Sequence, residues 1–401
     1  METGALMNDE IEYAGLRADA ARLGGAESTA REIAQQPALW PELVRQVAAD
    51  HALHACLAPL LADRAVRIVC TGAGTSAYVG KCLAPALARS GRRVDAIATT
   101  DIVSSPLSAL ARGVSTLVVH FARSGDSPES VAAFDLAERL IERCRHLVVT
   151  CNAAGTLVRH VQRMPQVHCI VLPDACNDRG FAMTSSFTGM LLAAAQALDI
   201  VRPLHGRIES LASLAGEVLN GVMPRVRELV RTRFERVIFL GSNELKGVAR
   251  ESALKMLELT NGRVVSMAES PLGFRHGPKS IVNENTLVVF FLSNDPYTRR
   301  YDECLLREMR NDRRARQVIA LTTQALEGRS ADIIELGTAG VPRTGFSDVE
   351  LCLPYVVFAQ ALALHQSLAL GICPDRPNDT GTVHRVVRGV EIYPFALPEQ
   401  S

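Results

Sequence analysis

The chain spells one kind of turn twice. Val66-Arg-Ile-Val-Cys-Thr-Gly-Ala-Gly-Thr-Ser76 is an apolar run that ends at Gly72, Gly74, Thr75 and Ser76, and Arg236-Val-Ile-Phe-Leu-Gly-Ser-Asn243 is a second that breaks at Gly241 and Ser242. A helix-like segment follows each. A strand that stops at glycine and small hydroxyl residues before a helix leaves backbone N–H groups pointing into the turn, a geometry that suits an anion and phosphate above all. Two such units 170 residues apart imply a duplicated α/β architecture rather than one fold with an unusual loop.

The segments between these turns agree. The first half predicts strands over 66–70, 93–99, 115–121, 145–151 and 167–172, with helices over 76–89, 104–112, 127–141 and 181–199. The second half predicts strands over 236–240, 263–268, 286–292, 316–321 and 332–336, helices over 244–259, 298–311 and 349–370, and a loop over 269–277. Strands alternating with helices of this length make parallel sheets covered on both faces. The expected division is a helical N-terminal segment over 1–50 that breaks at Pro37 and Pro41, a first α/β unit over 51–205, a second over 206–372, and an irregular tail over 373–401. A turn is expected at Arg202-Pro-Leu-His-Gly206, and the tail carries His384, Arg385 and Arg388.

Composition narrows the partners. Among 401 residues, Lys plus Arg and Asp plus Glu both number 43, so no net charge points to nucleic acid or to a membrane surface. The acidic start lacks the basic and apolar regions of a signal peptide, and apolar stretches such as 190–198 are short of the roughly 20 residues a bilayer span needs. Ten cysteines are scattered without a Cys-x-x-Cys pair, which suits a reducing cytoplasm. No Cys, His and carboxylate cluster has metal-ligand spacing, so neither metal nor cofactor is expected.

Three segments could carry chemistry. Gly72-Ala-Gly-Thr-Ser-Ala77 also satisfies the dinucleotide fingerprint, but the acidic residue that should close the second strand is misplaced: Asp95 opens that strand and Asp101 follows it late. Ala122-Arg-Ser-Gly-Asp-Ser-Pro-Glu-Ser130 is a second strand-to-helix turn, where Arg123, Ser124 and Ser127 can donate to one phosphate and Ser127 also fits a helix N-cap before Pro128. Two hydroxyl-rich turns from neighbouring strands favour a monophosphate cradle over a dinucleotide site. On the helix 244–259, Glu251, Lys255 and Glu258 stand at i, i+4 and i+7, one narrow stripe that reads either as a solvated ion-pair ladder or as acid–base machinery. His276 lies in Phe274-Arg-His-Gly-Pro-Lys279, a rigid loop suited to presenting an imidazole.

These motifs together resemble the double sugar-isomerase (SIS) domain family, in its tagatose-6-phosphate ketose/aldose isomerase branch, also described as galactosamine-6-phosphate deaminase/isomerase. The likeness extends to Ala30-Arg-Glu-Ile-Ala-Gln-Gln-Pro-Ala-Leu-Trp40 and Thr380-Gly-Thr-Val-His-Arg-Val-Val-Arg-Gly-Val390. It implies two tandem SIS domains and aldose–ketose isomerisation through an enediol, or through an enediolamine with release of ammonia. Glu258 would be the enolisation base, Lys255 would steady the oxyanion, and His276, from a neighbouring subunit, would open the ring. The phosphate would be held by Ser76, Ser124, Ser127, Thr75 and Arg123, with Gly72, Gly74, Glu251 and His384 in support. A homodimer or larger assembly is implied. The chain departs from glucosamine-6-phosphate synthase in Ala122 for a serine, Arg123 for a glutamine, no tail lysine and no glutaminase domain. The competing readings are a non-enzymatic sugar-phosphate sensor and an NAD-linked oxidoreductase.

Overall fold

Two strands of nearly the same spelling, Thr-Leu-Val-Val-His-Phe at Thr116–Phe121 and Thr-Leu-Val-Val-Phe-Phe at Thr286–Phe291, are the central strands of two five-stranded sheets, and every residue in both is buried. Strands apolar on both faces need helices on both faces, and all sheet pairings here are parallel. The computed structural model describes residues 11–200, 206–326, 332–337, 345–378, 380–387 and 389–396. The expected turn at 202–205 and Arg388 lie outside them.

The strands of the first sheet are β1 (Arg67–Thr71), β2 (Val94–Ala96), β3 (Thr116–Phe121), β4 (Cys144–Thr150) and β5 (Val167–Val171), in the spatial order β2-β1-β3-β4-β5. The second sheet has β6 (Arg236–Gly241), β7 (Val265–Glu269), β8 (Thr286–Phe291), β9 (Gln317–Thr322) and β10 (Ile333–Glu335), in the order β7-β6-β8-β9-β10. The topologies are identical, which is the duplication expressed in three dimensions. The helices that matter most are α1 (Glu27–Ala49), α2 (Thr75–Arg89), α3 (Pro128–Leu140), α4 (Ser185–Ala197), α5 (Glu244–Leu259), α6 (Pro296–Asp312) and α7 (Asp348–Ala369). By position in the repeat, α2, α3 and α4 correspond to α5, α6 and α7.

The repeat reaches the backbone of the turns. A Cβ on Gly72 would lie 2.7 Å from the backbone of Ser76, and one on Gly241 would lie 2.5 Å from the carbonyl oxygen of Leu245. Each glycine is thus required because the first turn of its helix folds back over it. Two residues on, Gly74 (φ 56°, ψ −127°) and Asn243 (φ 50°, ψ −118°) share one left-handed conformation.

One continuous apolar core joins the halves, including Ile68, Val119 and Phe187 with Phe239, Val289 and Tyr355. Helix α7 runs through it. Among the described residues α7 is the one helix long and apolar enough to cross a membrane, and 94% of that stretch is buried inside the protein.

The N-terminal segment does not break where its prolines suggested. α1 is continuous through Pro37 and Pro41, although an interior proline costs about 3 kcal/mol. Part of that cost is offset locally: the carbonyl of Ile33, which Pro37 cannot serve, accepts instead from Gln36 Nε2 at 3.0 Å. The rest comes from packing, since Ile33, Trp40, Leu43, Val44 and Val47 are all buried. The N-terminus of α1 is capped from the far end of the chain, where the Asp375 carboxylate accepts from the backbone N–H groups of Ser28 (3.0 Å) and Thr29 (2.8 Å). Smaller differences follow local chemistry. The helix expected over 104–112 is instead two short ones, Thr99–Ser104 and Pro106–Ala109, divided before Pro106. The loop expected over 269–277 holds a one-turn helix, Pro271–Phe274, with Ser270 as its N-cap.

Candidate active site

Helices α2 and α5 cross at a point only glycine allows: a Cβ on Gly247 would meet Cys82 Sγ at 2.6 Å and the Cys82 backbone nitrogen at 2.7 Å. This close approach lays the acidic stripe of the second unit against the first turn of α2. Thr75 Oγ1 donates to Glu251 Oε1 at 3.3 Å, so Thr75 serves the stripe and does not line the neighbouring anion cavity. Lys255 is fully buried between two carboxylates, 3.5 Å from Glu251 Oε1 and in close contact with Glu258 Oε2. Glu258 keeps a side chain 25% exposed, whereas Glu251 is fully buried and its Oε2 has no partner among the described residues. A solvated ladder is thereby excluded.

Burial pushes the Glu251 carboxyl up to about 8, with Lys255 pulling it down and Glu258 pushing it further up. Burial alone would lower Lys255, but the carboxylates of Glu251 and Glu258 overcome it and raise the ammonium. Burial thus favours the protonated form of Glu251, while the two carboxylates favour the charged form of Lys255. This has a sign in stability. The folded value of about 8 lies above the ordinary 4.5, so Glu251's contribution is complete below pH 4.5 and is lost as pH rises through about 8. Glu32, also raised to about 8 by burial and then by Asp178, acts with the same sign. Urea melts of wild type and Glu251→Gln separate the two: the wild-type unfolding free energy should fall more steeply across this window, by at most ~1.4 kcal/mol per pH unit. Coincident slopes would mean that Glu251 is ionised in the native state.

A small cavity of about 120 Å³ lies beside this stripe, lined by Ser76, Arg123, Ser124, Ser127 and Ser130, and the tail residues Arg385, Val386 and Val387 border it. Ser76 and Arg123 are 5% and 6% exposed. Arg123 Nη2 donates to the Arg385 carbonyl at 3.3 Å, while Nη1 is buried with no partner among the described residues. Burial lowers the Arg123 guanidinium, the nearby Arg385 lowers it further, and the charges of Asp178 and Glu258 push it back up. Glu258 and Arg123 therefore lie within one another's fields. Ser127 occupies the N-cap position of α3 but caps no N–H with its side chain; its Oγ donates to Glu129 Oε2 at 2.6 Å. The N-terminus of α2, which follows Gly74, likewise has no side-chain cap.

Two expected residues lie elsewhere. His276 is exposed just after the Pro271–Phe274 helix, and its neighbours Arg275 and Lys279 pair with Glu308 on α6. Within one chain it is not brought to the Glu251–Lys255–Glu258 stripe. His384 is exposed and does not line the cavity, although the three residues after it do. The fingerprint reading of Gly72 to Ala77 loses its acidic partner, because Asp95 Oδ2 is held by Arg67 Nε at 2.7 Å.

Comparison with known proteins bears on this arrangement. Residues 60–199 match the family model described as the SIS domain. The chain is 50% identical to the AgaS protein of Streptomyces coelicolor, over 92% of this chain and 96% of that one. The chain belongs to the AgaS family of SIS-domain proteins. It is also 41% identical to the D-galactosamine-6-phosphate deaminase AgaS of Escherichia coli, over 92% of this chain and 96% of that protein. The crystal structure of tagatose-6-phosphate ketose/aldose isomerase from Escherichia coli superposes with a TM-score of 0.83 at 38% identity, covering 92% of this chain and 97% of that one.

Because this AgaS-family chain is duplicated, it carries an internal control. A cavity of about 400 Å³ occupies the corresponding place in the second unit, lined by Asn243, Asn294, Asp295, Thr298, Ser347 and Asp348. There the ends of α6 and α7 are already occupied, although the N-terminus of α5, like that of α2, has no side-chain cap. Asp295 caps α6 by accepting from Thr298 N at 2.8 Å, and Ser347 with Glu350 forms a capping box on α7. Arg89 closes α2 at the position where Glu258 stands on α5, each fourteen residues beyond the first of its helix. The first unit leaves the N-terminus of α3 uncapped where its counterpart α6 is capped by Asp295, and it adds a buried guanidinium whose Nη1 has no partner among the described residues.

Sequence reasoning passed over several residues that the fold recruits. Glu129 and Ser130 line the cradle, and their signal was membership in the same Ser-Pro-Glu-Ser run. Asp178, fully buried, caps α4 through the N–H groups of Thr184 (2.8 Å), Ser185 (2.9 Å) and Ser186 (2.9 Å), and its charge acts on Arg123. Nothing local in the sequence marks it.

Proposed function

We propose that this protein converts a 2-amino-aldose 6-phosphate of galacto configuration into the corresponding ketose phosphate and ammonia, and that it interconverts the matching aldose and ketose phosphates through the same enolisation. The observation that carries this is the placing of an anion cradle from one unit beside an acid–base stripe from the other. The two activities borne by its relatives' names are one chemistry, because removing nitrogen from C2 of galactosamine-6-phosphate leaves the ketose tagatose-6-phosphate.

The phosphate is the handle. Ser76, Ser124, Ser127 and Arg123, with the open ends of α2 and α3, hold it and fix where the open chain lies. Glu258 takes the proton from C2, and Lys255 steadies the negative charge that develops on oxygen. Return of the proton to C1 yields a C2 imine, which water hydrolyses to ketose and ammonia. No step calls on a metal or cofactor.

His276 completes the site from a neighbouring subunit, so the working form is a homodimer or larger. Its ten cysteines are all free thiols, which suits a cytoplasmic setting. Ammonia release from galactosamine-6-phosphate, measured against glucosamine-6-phosphate and beside isomerisation of tagatose-6-phosphate, tests the reading; inertness toward all three refutes it. Mixing inactive Glu258→Gln and His276→Ala chains under exchange conditions should restore about a quarter of wild-type activity, since half of randomly paired dimers hold one intact shared site of two. No recovery would place His276 outside the site.

A further inference from the structure

We propose that Glu138, Cys144 and His146 form a binding site for a zinc-type divalent transition-metal ion, away from the catalytic stripe. The linear spacing of these residues carries no ligand motif; the fold assembles them. Cys144 and His146 are two apart on β4 and so share one face of the strand, and the last turn of α3 brings Glu138 onto that face. One ligand atom from each, thiol sulfur, imidazole nitrogen and carboxylate oxygen, falls within 4.8 Å of the other two. Ligands on a tetrahedral zinc with bonds of ~2.0–2.3 Å stand roughly 3.3–3.8 Å apart, so small side-chain adjustments close the set.

The surroundings are those of a metal site. His146 Nε2 faces Glu138 Oε1 at 2.7 Å, while the outer atom of each is already held: His146 Nδ1 by His120 Nε2 at 2.9 Å, and Glu138 Oε2 by Gln166 Nε2 at 2.6 Å. Such outer hydrogen bonds orient imidazole and carboxylate ligands. Cys144 is 6% exposed, and burial, reinforced by the charge of Glu138, pushes its thiol up to about 12. A cavity of about 300 Å³ bordered by Glu138, Cys144 and Gln166 gives access and leaves room for water as a fourth ligand. A thiolate, an imidazole and a carboxylate together favour zinc-type ions over magnesium or calcium.

Binding balances simply. The Cys144 thiol loses one proton to solvent as the metal–sulfur bond forms. The hydrogen bond between the histidines reverses: His146 carries its ring proton on Nδ1 and donates to His120 Nε2, and His120 holds its own on Nδ1. The ion would clamp β4 to the C-terminal end of α3, the helix whose other end supplies Ser127, Glu129 and Ser130 to the phosphate cradle.

Cobalt(II) titrated into the reduced, untagged full-length chain tests this. One equivalent should produce a thiolate-to-cobalt charge-transfer band with release of one proton. Cys144→Ser should lose the band, and Glu138→Gln should weaken cobalt binding at least about tenfold. No band at one equivalent, or an unchanged band in folded Cys144→Ser, overturns the site. Should Cys144→Ser fail to fold, Glu138→Gln decides alone, because its carboxylate is at the accessible edge and unaltered affinity there is equally fatal.

Discussion

Glu258→Gln should lower turnover of galactosamine-6-phosphate by about 10²–10⁴-fold while KM changes only a few-fold, the loss expected when a positioned base is removed and the binding contacts stay. The amide keeps the shape of the carboxylate, and the phosphate cradle lies in the other unit. The variant should also fold. Deleting the Glu258 charge leaves Lys255 without its close partner, but Glu251 Oε1 is 3.5 Å away and can ionise in compensation. The pair then re-forms inside the helix with no buried ammonium left alone. Exchange of the C2 proton with deuterated solvent, followed by NMR, isolates the enolisation from the later hydrolysis of the imine. Exchange at the wild-type rate in Glu258→Gln would remove Glu258 from the chemistry.

Arg123→Met should weaken binding and have an opposite effect on the empty protein. A hydrogen bond to a charged group contributes roughly 1.5–3 kcal/mol, so losing the guanidinium should raise KM for the phosphorylated sugar about 10–100-fold. Without ligand, the same guanidinium is a buried charge whose Nη1 meets no acceptor among the described residues. Methionine fills similar space without that desolvation penalty, so the melting temperature of the ligand-free variant should equal or exceed that of wild type. Thermal melts with and without inorganic phosphate read both effects: wild type should be stabilised by phosphate and the variant should not. An undiminished phosphate shift in Arg123→Met would mean that the anion binds elsewhere.

These two expectations rest on different layers of information. The helix 244–259 and its Glu251–Lys255–Glu258 stripe were legible from periodicity, because three residues at i, i+4 and i+7 share a face wherever the helix sits. The hydroxyl-rich turns were legible from glycine spacing, and Gly72 and Gly241 prove to be fixed by the same approach of the following helix turn. Other readings failed where tertiary contacts outweighed local preference. Pro37 and Pro41 signalled a break, yet Gln36 and a buried apolar face carry α1 through them. Ser127 had the spelling of a capping residue, yet Glu129 takes its hydroxyl. The Glu138–Cys144–His146 cluster had no signal, because a helix end and a strand start meet only after the sheet is built.

The sequence by itself determined that there are two strand–glycine–helix units and that one helix bears a carboxylate–ammonium–carboxylate stripe, since both follow from the period of local structure. Which of the two turns better suits an anion is decided only in three dimensions. The two differ at α3, uncapped where α6 is capped, and at Arg123, a buried guanidinium whose Nη1 is unpaired among the described residues. The cap is local, but the setting of Arg123 depends on groups far apart in the chain, such as the Arg385 carbonyl 262 residues beyond it.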